Sequence, residues 1–404
     1  MRPFEGRRIV LGVTGGIASY KSAWLARLLS QEGAAVDVVM TRAAAEFIAP
    51  LTFEALTGRP VHTALIAQGH ALDHILLAKS ADAVVVAPAT ADFCARAAHG
   101  RADDLLSAIL LATEARVLLV PAMNDRMWAH PQTQLNAAHL REIGYEVLDP
   151  EFGALAAGEG SGAGRMPEPE TILAHVARLL DDASFRGRRV VVTAGPTREI
   201  VDPVRVLSNR SSGRMGVALA AAAWRRGADV TLIAGPLEVE PPVGPTLVRV
   251  ETTEEMADAV RAAAADADVL IMAAAPADFR AAAPATAKIK KGSGSQTLEL
   301  APTTDILRES ASHMRAGAIR VGFALETENG LANARKKLDG KSLDFIVLND
   351  ALEPGAGVGG ETNRVTILAR DGSAEEIPLM LKREVADIIL DRVLDRVAAR
   401  IREG

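Results

Sequence analysis

The stretch "RRIVLGVTGGIASYKSAWLARLLSQEGAAVDVVMT", residues 7–41, decides the fold class because it contains one complete β–α–β unit. A short apolar run is followed by the turn TGGIAS, by the helical pattern YKSAWLARLLSQEG and by a second apolar run, AAVDVVMT. Two parallel strands need a crossover connection, which is usually a helix. The stretch therefore predicts adjacent parallel strands with a helix packed against them.

The same strand-then-loop pattern recurs in both halves of the chain. The further units are ADAVVVAPAT (81–90), ARVLLVPAMN (115–124), VVVTAGPT (190–197), ADVTLIAGP (228–236), ADVLIMAAAPADF (267–279) and LDFIVLND (343–350). A chain of 404 residues also exceeds the usual size of a single core. We therefore predict an α/β protein with two doubly wound, Rossmann-like domains, over residues 1–185 and 186–404, with the boundary near 182–188.

Composition narrows the classes of partner. Hydrophobic residues make up 49% of the chain, charged residues 24%, and the formal net charge is −6. This balance argues against nucleic acid or an anionic membrane as the main partner. Cys94 is the single cysteine, so no intrachain disulfide can form and a reducing compartment is expected. Because a signal-peptide pattern and an uninterrupted apolar run are both lacking, we predict a cytoplasmic protein with no membrane span.

Small and polar residues follow the strands of the first half, where a parallel sheet usually has its ligand crevice. Gly15 and Gly16 lie where a strand turns into a helix, so bare amides and the helix N-terminus could bind a phosphate. Such a turn can equally be no more than a tight turn. Thr41 ends the next strand, and Thr90 and Ser107 lie in the loop segments PATAD and DDLLS. We expect these polar loop ends to face the same crevice.

Two further residues of the first half are candidates for substrate contacts. His74 begins the amphipathic pattern ALDHILLAKSAD, and Asn124 follows a strand in PAMNDRMW. An asparagine in that place can donate two N–H bonds to a carboxylate. The alternatives are a surface or capping histidine and a turn-forming asparagine.

The glycine-rich stretch GALAAGEGSGAGRM, residues 153–166, predicts a mobile loop whose backbone comes close to another group. We expect it to cover the active site, with Arg165 near the ligand.

The second half has its own candidate anion site. Residues 211–213, in LSNRSSGRMG, can open a helix as an anion-binding N-terminus, with Asn209 just ahead of it. The alternative is an ordinary helix cap. Lys288, in AKIKK, could close over a phosphate or acyl-phosphate oxygen, although a solvated basic run is the simpler interpretation of that segment.

Taken in order, these motifs resemble a known family. TGGIASYK, DHILLAKSAD, PATAD, ADDLLSAILLA, PAMNDRMW and GRMPEP look like flavin-dependent phosphopantothenoylcysteine decarboxylases. TAGPTREIVDPVRVLSNRSSGRMG looks like phosphopantothenate–cysteine ligase. Over nearly the whole chain, the two halves resemble the bacterial bifunctional enzymes of coenzyme A biosynthesis. A nicotinamide-dependent oxidoreductase is disfavoured, because no GxGxxG with a downstream ribose-binding acid is found.

The resemblance implies that the first half is an FMN-dependent decarboxylase of the HFCD type. Flavin would oxidise the substrate thiol to a thioaldehyde, CO₂ would leave, and the resulting enethiol would be reduced with the help of a proton donor. His74 would assist at the flavin and the substrate, and Asn124 would hold the substrate carboxylate. The implied cofactor-binding residues are Gly15, Gly16, Thr41, Thr90 and Ser107.

The sequence departs from the family at the proton donor. The family places a cysteine in the flap, in the pattern ACGxxGxGRM, whereas this chain has AAGEGSGAGRM. Alignment from the left puts Ala157 at the cysteine position, and alignment back from GRM puts Ser161 there. Cys94 lies in a different helix-like segment and is expected to be a buried apolar residue. Three interpretations stay open: another donor such as Ser161 or water, an impaired decarboxylase, or a changed substrate or engineered substitution.

The resemblance implies that the second half joins 4'-phosphopantothenate to L-cysteine. The carboxylate would attack the α-phosphate of CTP, giving an acyl-cytidylate that the cysteine amine then displaces, with Mg²⁺ bridging the triphosphate. Asn209 and Lys288 are assigned to the acyl-cytidylate. Thr304 and Pro276 stand where the family usually has proline and valine. The implied CTP-binding residues are Ala273, Ala274, Ala275, Asp278, Lys288, Thr304, Asp305, Ile306, Leu307, Phe323, Lys337 and Lys341.

The implied partners are these small molecules and further copies of the chain. The family suggests a homo-oligomer of trimeric flavin domains and dimeric ligase domains, up to a dodecamer. An alternative function keeps the ligase active and retains the flavin domain only as an inactive oligomerisation scaffold.

Overall fold

The computed structural model describes residues 3–66, 71–291, 295–326, 328–350 and 359–403. Contacts between residues divide the chain into two units, Met1–Asp181 and Asp182–Gly404. None of the helices in the described ranges has the length and apolar character needed to span a bilayer.

The first unit contains a six-stranded sheet and a separate two-stranded hairpin. Its strands are β1 Arg8–Val13, β2 Ala35–Met40, β3 Val61–His62, β4 Ala83–Ala89, β5 Arg116–Pro121, β6 Glu146–Val147, β7 Glu151–Ala154 and β8 Ser161–Arg165. The sheet order is β3-β2-β1-β4-β5-β6, and all neighbouring strands are parallel. The chain winds outward from β1 to β3 and then crosses back to β4. The carboxyl ends of β1 and β4 therefore flank the switch point at which doubly wound sheets bind ligands.

Helices cover both faces of this sheet. They are α1 Ser19–Gln31, α2 Pro50–Thr57, α3 Asp73–Ser80, α4 Ala91–Ala98, α5 Leu105–Ala112, α6 Asp125–Ala129, α7 Pro131–Glu142 and α8 Pro169–Leu180. Every residue of β4 is buried, which explains its continuous apolar sequence. One core cluster contains Phe53, and a second contains Phe93 and Cys94. The prediction of Cys94 as a buried apolar residue is confirmed, because it is 3% exposed.

The glycine-rich stretch, predicted as a mobile loop, forms the antiparallel hairpin β7–β8, which we call the flap. A Cβ on Gly164 would lie 2.1 Å from the carbonyl oxygen of Met123, and one on Gly162 would lie 2.5 Å from the Cβ of Asp125. The Met123 N–H donates to the Gly164 carbonyl at 3.0 Å. These glycines are needed because β8 lies directly against the loop that follows β5.

The second unit repeats the plan on an eight-stranded sheet. The strands of the unit are β9 Arg189–Ala194, β10 Arg198–Ile200, β11 Val206–Ser208, β12 Asp229–Ala234, β13 Thr246–Arg249, β14 Val269–Met272, β15 Phe279–Ala281, β16 Leu300–Pro302, β17 Ile319–Glu326, β18 Phe345–Asp350, β19 Thr362–Ala369 and β20 Ala374–Leu381. Outside the eight-stranded sheet, β10 pairs with β11 and β15 pairs with β16. The sheet order is β13-β12-β9-β14-β17-β18-β19-β20. The strands from β13 to β18 are parallel, and β19 and β20 extend the sheet in antiparallel fashion. The predicted α/β class with two doubly wound sheets is confirmed.

The helices of the second unit lie between these strands in the chain. They are α9 Arg214–Arg225, α10 Thr253–Ala264, α11 Ile306–Glu309, α12 Gly330–Gly340 and α13 Lys382–Glu403. Helix α9 begins after Gly213, whose φ is 77° and whose Cβ would lie 2.2 Å from Leu237 Cδ2. Only glycine fits this left-handed and crowded position. The predicted helix start after residues 211–213 is confirmed.

Candidate active sites

A cavity of ≈ 630 Å³ lies at the carboxyl ends of β1, β4 and β5 and under the β7–β8 flap. Its size is in the range of small-molecule and cofactor sites. The lining includes five of the residues predicted from sequence, namely Gly15, Gly16, Thr90, Asn124 and Arg165. The switch point of the first sheet therefore brings together loops that are far apart in the chain.

The loop after β1 presents unpaired backbone donors to this cavity. Within the described residues, the amides of residues 15–18 donate to no backbone or side-chain acceptor, and α1 begins immediately afterwards. A Cβ on Gly15 would lie 2.4 Å from the Cβ of Ala43, so this position accepts only glycine. Free amides together with a helix N-terminus are suited to a phosphate group.

The loops after β1 and β4 are joined by Thr14. Its hydroxyl donates to the Pro88 carbonyl at 2.8 Å and accepts from the Thr90 N–H at 3.1 Å. Thr90 then caps α4 by accepting from the Phe93 N–H at 3.3 Å. These bonds hold both walls of the cavity at a constant separation.

Asn124 is oriented by its position at the start of α6. Its Oδ1 accepts the Arg126 N–H at 2.9 Å, so the acceptor side of the amide is occupied within the protein. The two N–H donors of Nδ2 are left for the cavity that Asn124 lines. This geometry suits recognition of a carboxylate.

The flap is tied to helix α1 by charged side chains. Lys21, 6% exposed, donates to the Met166 carbonyl at 2.8 Å and to Glu168 at 3.0 Å. Arg165 also pairs with Glu168. Burial acts to raise the pKa of Glu168, but its bonds to Lys21 and Arg165 outweigh burial and lower that pKa. The carboxylate stays charged and holds the base of the flap.

The tip of the flap contributes Glu159 to the cavity wall, together with Ala154, Leu155 and Ala156. Neither Ala157 nor Ser161 is among the lining residues, and both are exposed. Ser161 is the first residue of β8, paired with Ala154 of β7. The flap therefore directs a carboxyl group, and neither of the two aligned positions, at the cavity.

Besides Ser161, three further predicted residues of the first unit lie outside the cavity wall. Thr41 is buried beside it and accepts from the Ala44 N–H at 3.3 Å. Ser107 is held in a capping box, donating to Asp104 Oδ1 at 2.8 Å. His74 lies in the first turn of α3, and its buried Nδ1 has no hydrogen-bond partner among the described residues. The roles assigned to these three residues stay predictions.

Cys94 is chemically isolated from this cavity. It lies within α4, and burial raises the pKa of its thiol to about 12. A thiol with such a pKa does not ionise near neutral pH, so Cys94 is unsuited to redox or nucleophilic chemistry.

A second cavity, of ≈ 290 Å³, lies at the carboxyl ends of β14, β17 and β18 in the second unit. Asn209 lies beside it and donates through Nδ2 to the Pro276 carbonyl at 2.9 Å. The first turn of α9 also faces it, through Arg214 and Met215. Six of the residues predicted to bind CTP line this cavity, and their contacts with CTP stay predictions; they are Ala273, Ala274, Ala275, Asp278, Phe323 and Lys337.

The other residues predicted for this site lie outside its wall. Thr304 lines a separate cavity and donates to Glu254 at 3.2 Å. Asp305 and Lys341 form an ion pair at 2.9 Å, close to Ile306 and Leu307 of helix α11. Lys288 is exposed on a loop whose next residue, Ile289, donates its N–H to Asp202 at 3.1 Å. The contacts of these six residues with CTP stay predictions.

The second cavity is strongly cationic. Four basic side chains and one carboxylate, Asp278, line its described part; the basic residues are Arg210, Arg214, Lys337 and Lys382. Lys337 is already paired with Glu326 at 2.7 Å, and this hydrogen bond lowers the pKa of Glu326. Burial, and then the positive charge of Arg214, lower the pKa of Lys382.

Sequence reasoning did not single out Lys21, Glu159, Arg214 or Lys382. Lys21 lies beside the glycine turn and Glu159 lies in the flap, both within motifs that the sequence analysis recognised. Their charges could therefore have indicated a place in the site. Lys382 carries no local signal, because it begins the last helix, far from any glycine-rich turn.

No group of three or more His, Cys, Asp or Glu side chains suited to a metal ion is found in the part of the chain that the structure describes.

Comparison with known proteins places both units in defined families. Residues 2–181 match the family model for Flavoprotein, and residues 185–397 match that for the DNA/pantothenate metabolism flavoprotein C-terminal domain. A coenzyme A biosynthesis bifunctional protein of Vibrio vulnificus is 42% identical over 397 residues, which is 97% of this chain and 98% of the relative. The chain belongs to the family of coenzyme A biosynthesis bifunctional proteins.

Other members of this family are equally extensive matches. The Mycobacterium tuberculosis protein is 46% identical over 408 residues, covering 97% of each chain. The Bacillus subtilis protein is 43% identical over 395 residues, covering 96% of this chain and 97% of the relative. The predicted family, the bifunctional enzyme of coenzyme A biosynthesis and the flavoprotein character of the first half are confirmed.

Proposed function

We propose that the chain ligates 4'-phosphopantothenate to L-cysteine with CTP and then decarboxylates the product to 4'-phosphopantetheine. The observation that carries this proposal is the near full-length match to coenzyme A biosynthesis bifunctional proteins. A cavity at the carboxyl ends of parallel strands in each sheet supports it. Residues 1–185 would hold the decarboxylase and residues 186–404 the ligase.

The first cavity fits FMN. The unpaired amides of residues 15–18 would bind the phosphate, and apolar residues such as Ile17, Met123 and Met127 would pack against the ring system. FMN, when bound, would supply the reversible oxidation of the substrate thiol that makes loss of CO₂ possible. The protein's own part is to bind, orient and protonate.

Asn124 and the base of the flap would orient the decarboxylation substrate. Asn124 would donate from Nδ2 to the substrate carboxylate, because its Oδ1 is occupied by the Arg126 N–H. Lys21, Glu168 and Arg165 would keep the flap over the cavity and exclude water. Exclusion of water favours decarboxylation, because it removes the hydration that stabilises the charged carboxylate relative to neutral CO₂.

Glu159 is our proposed replacement for the missing cysteine donor. It is the acidic side chain that the flap adds to the cavity wall, whereas Ser161 lies outside that wall. A carboxyl group is also a far stronger acid than a hydroxyl. Its Oε–H would pass a proton to the substrate carbon during the final reduction.

The second cavity would carry the ligase reaction. Residues 273–275 and Asp278 would bind CTP, and Asn209 would hold this loop through Pro276 while facing the acyl-cytidylate. Activation is needed because a carboxylate is a poor electrophile at neutral pH. Mg²⁺ would enter the cavity bound to the triphosphate of CTP and would offset its negative charge.

The test is mass spectrometry of the products formed from 4'-phosphopantothenate, L-cysteine, CTP and Mg²⁺. We expect CMP, pyrophosphate and 4'-phosphopantetheine. An unchanged CTP pool would refute the ligase assignment, and a colourless chain that cannot be reconstituted with FMN would refute the flavin assignment.

A second candidate function is an active ligase carried on an inactive flavin scaffold. The observation in its favour is that the cavity under the flap contains no cysteine among its described residues, while Cys94 is buried elsewhere. Phosphopantothenoylcysteine accumulating without CO₂ release, in a yellow protein, would favour it. Both candidates retain the proposed homo-oligomer, which light scattering of the intact chain would test.

A further inference from the structure

One end of the second cavity contains two basic side chains that have no close carboxylate partner among the described residues. Arg214 is the first residue of helix α9, and Lys382 is the first residue of helix α13. Both line the cavity that also contains residues 273–275. We call Arg214 and Lys382 the cationic pair.

Lys382 is buried, whereas the Arg214 side chain is 35% exposed and only part of it is withdrawn from water. Lys382 is 8% exposed, and its backbone N–H donates to the Glu361 carbonyl at 2.9 Å. The Nε of Arg214 is buried and has no hydrogen-bond partner among the described residues. Burial, followed by the charge of Arg214, lowers the pKa of Lys382. Like charges brought together away from water are unfavourable unless an anion joins them.

The neighbouring carboxylates do not neutralise this pair. Glu361 reaches only 3.9 Å from Arg214, and its side chain is 78% exposed. Glu384 accepts the Leu381 N–H at 3.2 Å at the start of α13. Asp278, the acid in the cavity wall, is exposed. The first turn of α9 adds unpaired N–H groups with a positive dipole end to the same region.

We infer that Lys382 and Arg214, with the first turn of helix α9, form a binding site for a phosphate group of a ligase substrate. The inference rests on the proposed ligase function and adds two residues to it. The phosphate could come from the triphosphate of CTP or from the phosphomonoester of 4'-phosphopantothenate, because both have the same charge chemistry. Lysine and arginine donors suit either source.

The first test measures binding without turnover in the full-length protein. The apparent melting temperature of the unmodified chain is compared with that of Lys382→Met, Lys382→Arg and Arg214→Gln, alone and with CTP, pyrophosphate or 4'-phosphopantothenate. Lys336→Gln, an exposed lysine on helix α12, is the control. Without ligand, Lys382→Met should melt at or above the unmodified chain, since it removes the like-charge contact. With the correct phosphate ligand, its stabilising shift should be lost.

The two sources of phosphate give different patterns. Loss of the shifts with CTP and pyrophosphate assigns the site to the triphosphate, and loss with 4'-phosphopantothenate assigns it to the acyl substrate. Lys382→Arg should retain much of the shift, because it retains the charge. Shifts that persist with every ligand would overturn the inference. A Lys382→Met chain that is strongly destabilised without ligand and still binds ligand normally would also overturn it. If the Lys382→Met chain does not fold, Arg214→Gln provides the same test.

The second test separates this inference from the proposed function. In a pyrophosphate-release assay, Lys382→Met and Arg214→Gln should raise KM for one phosphate substrate roughly 10- to 100-fold, with a smaller change in kcat. If the unmodified chain releases no pyrophosphate, the ligase function fails, while the binding shifts still test the phosphate site. If the unmodified chain is active and both variants keep normal KM values, the inference alone fails.

Discussion

Each of the two cavities lies at the carboxyl ends of parallel strands, yet their charged side chains are used differently. In the first cavity, Lys21 and Arg165 share Glu168, so their charges are balanced before a ligand binds. In the second, Lys382 and Arg214 have no comparable partner among the described residues. The comparison shows that charges paired inside the chain hold structure, here the flap, whereas buried charges without a partner indicate where an anionic ligand binds.

The most far-reaching expected effect breaks the first cavity alone, because every step of the decarboxylation needs bound FMN. Gly15→Val would force a Cβ to within 2.4 Å of the Ala43 Cβ and distort the loop that presents the phosphate-binding amides. Overpacking of this kind should weaken FMN binding roughly 10- to 100-fold. Flavin absorbance per chain and titration with FMN measure it.

The control for this variant is Gly16→Ala, whose Cβ would lie 4.0 Å from Thr90 Cγ2 in ordinary contact. It should lose much less flavin, and pyrophosphate release should be unaffected in Gly15→Val. Full flavin content in Gly15→Val would contradict the assignment of this loop.

The next effect concerns the flap tip. Glu159→Gln removes the proposed acid, and the final reduction should slow by about 100-fold, as is usual for loss of a general acid. Mass spectrometry should then detect a species two hydrogens lighter than 4'-phosphopantetheine. Ser161→Ala, the matched change outside the cavity wall, should behave like the unmodified chain. A slow final reduction in Ser161→Ala, with a normal rate in Glu159→Gln, would identify Ser161 as the proton donor.

A smaller effect should follow from loosening the base of the flap. Glu168→Gln removes the shared carboxylate of Lys21 and Arg165 and should raise KM for the decarboxylation substrate several-fold, since the group is partly exposed. Glu170→Gln is the control, because Glu170 accepts only from the exposed Trp24 indole. Equal KM values in the two variants would argue against an anchoring role.

The same anchor predicts a pH dependence. The pKa of Glu168 is lowered from 4.5, so its contribution is complete above that value and is lost as pH falls through the lowered pKa. Limited proteolysis of the flap should therefore accelerate in the unmodified chain only at acid pH, whereas Glu168→Gln should be cleaved readily at every pH.

The smallest effect concerns Cys94. Because burial raises its pKa to about 12, the native thiol should resist alkylation at pH 8, and Cys94→Ala should leave decarboxylation unchanged. The unfolded thiol ionises near pH 9.0, so the contribution of this group to stability is complete below that pH and falls as pH rises towards 12. Rapid alkylation of the native chain would contradict the burial of Cys94.

Local patterns predicted much of this molecule. The glycine turn before α1, the helix starts at His74 and after residues 211–213, and the burial of Cys94 depend on short-range geometry, and the structure agrees with each. The flap was harder to predict, because two of its glycines are required by close contacts with Met123 and Asp125, which lie in the loop after β5. The placement of Ser107 in a capping box was also unforeseen, although Asp104 stands three residues before it.

The sequence by itself determined the α/β class, the two doubly wound sheets and the family. These features depend on hydrophobic periodicity and on short motifs, both of which involve residues that are close together in the chain. Only the tertiary structure decided that Glu159 lines the first cavity in preference to Ser161, and that Lys382 joins Arg214 at the second. The physical reason is that the pairing of charges and the contacts between side chains depend on which distant segments of the chain pack together. Local hydrophobic periodicity does not determine that packing.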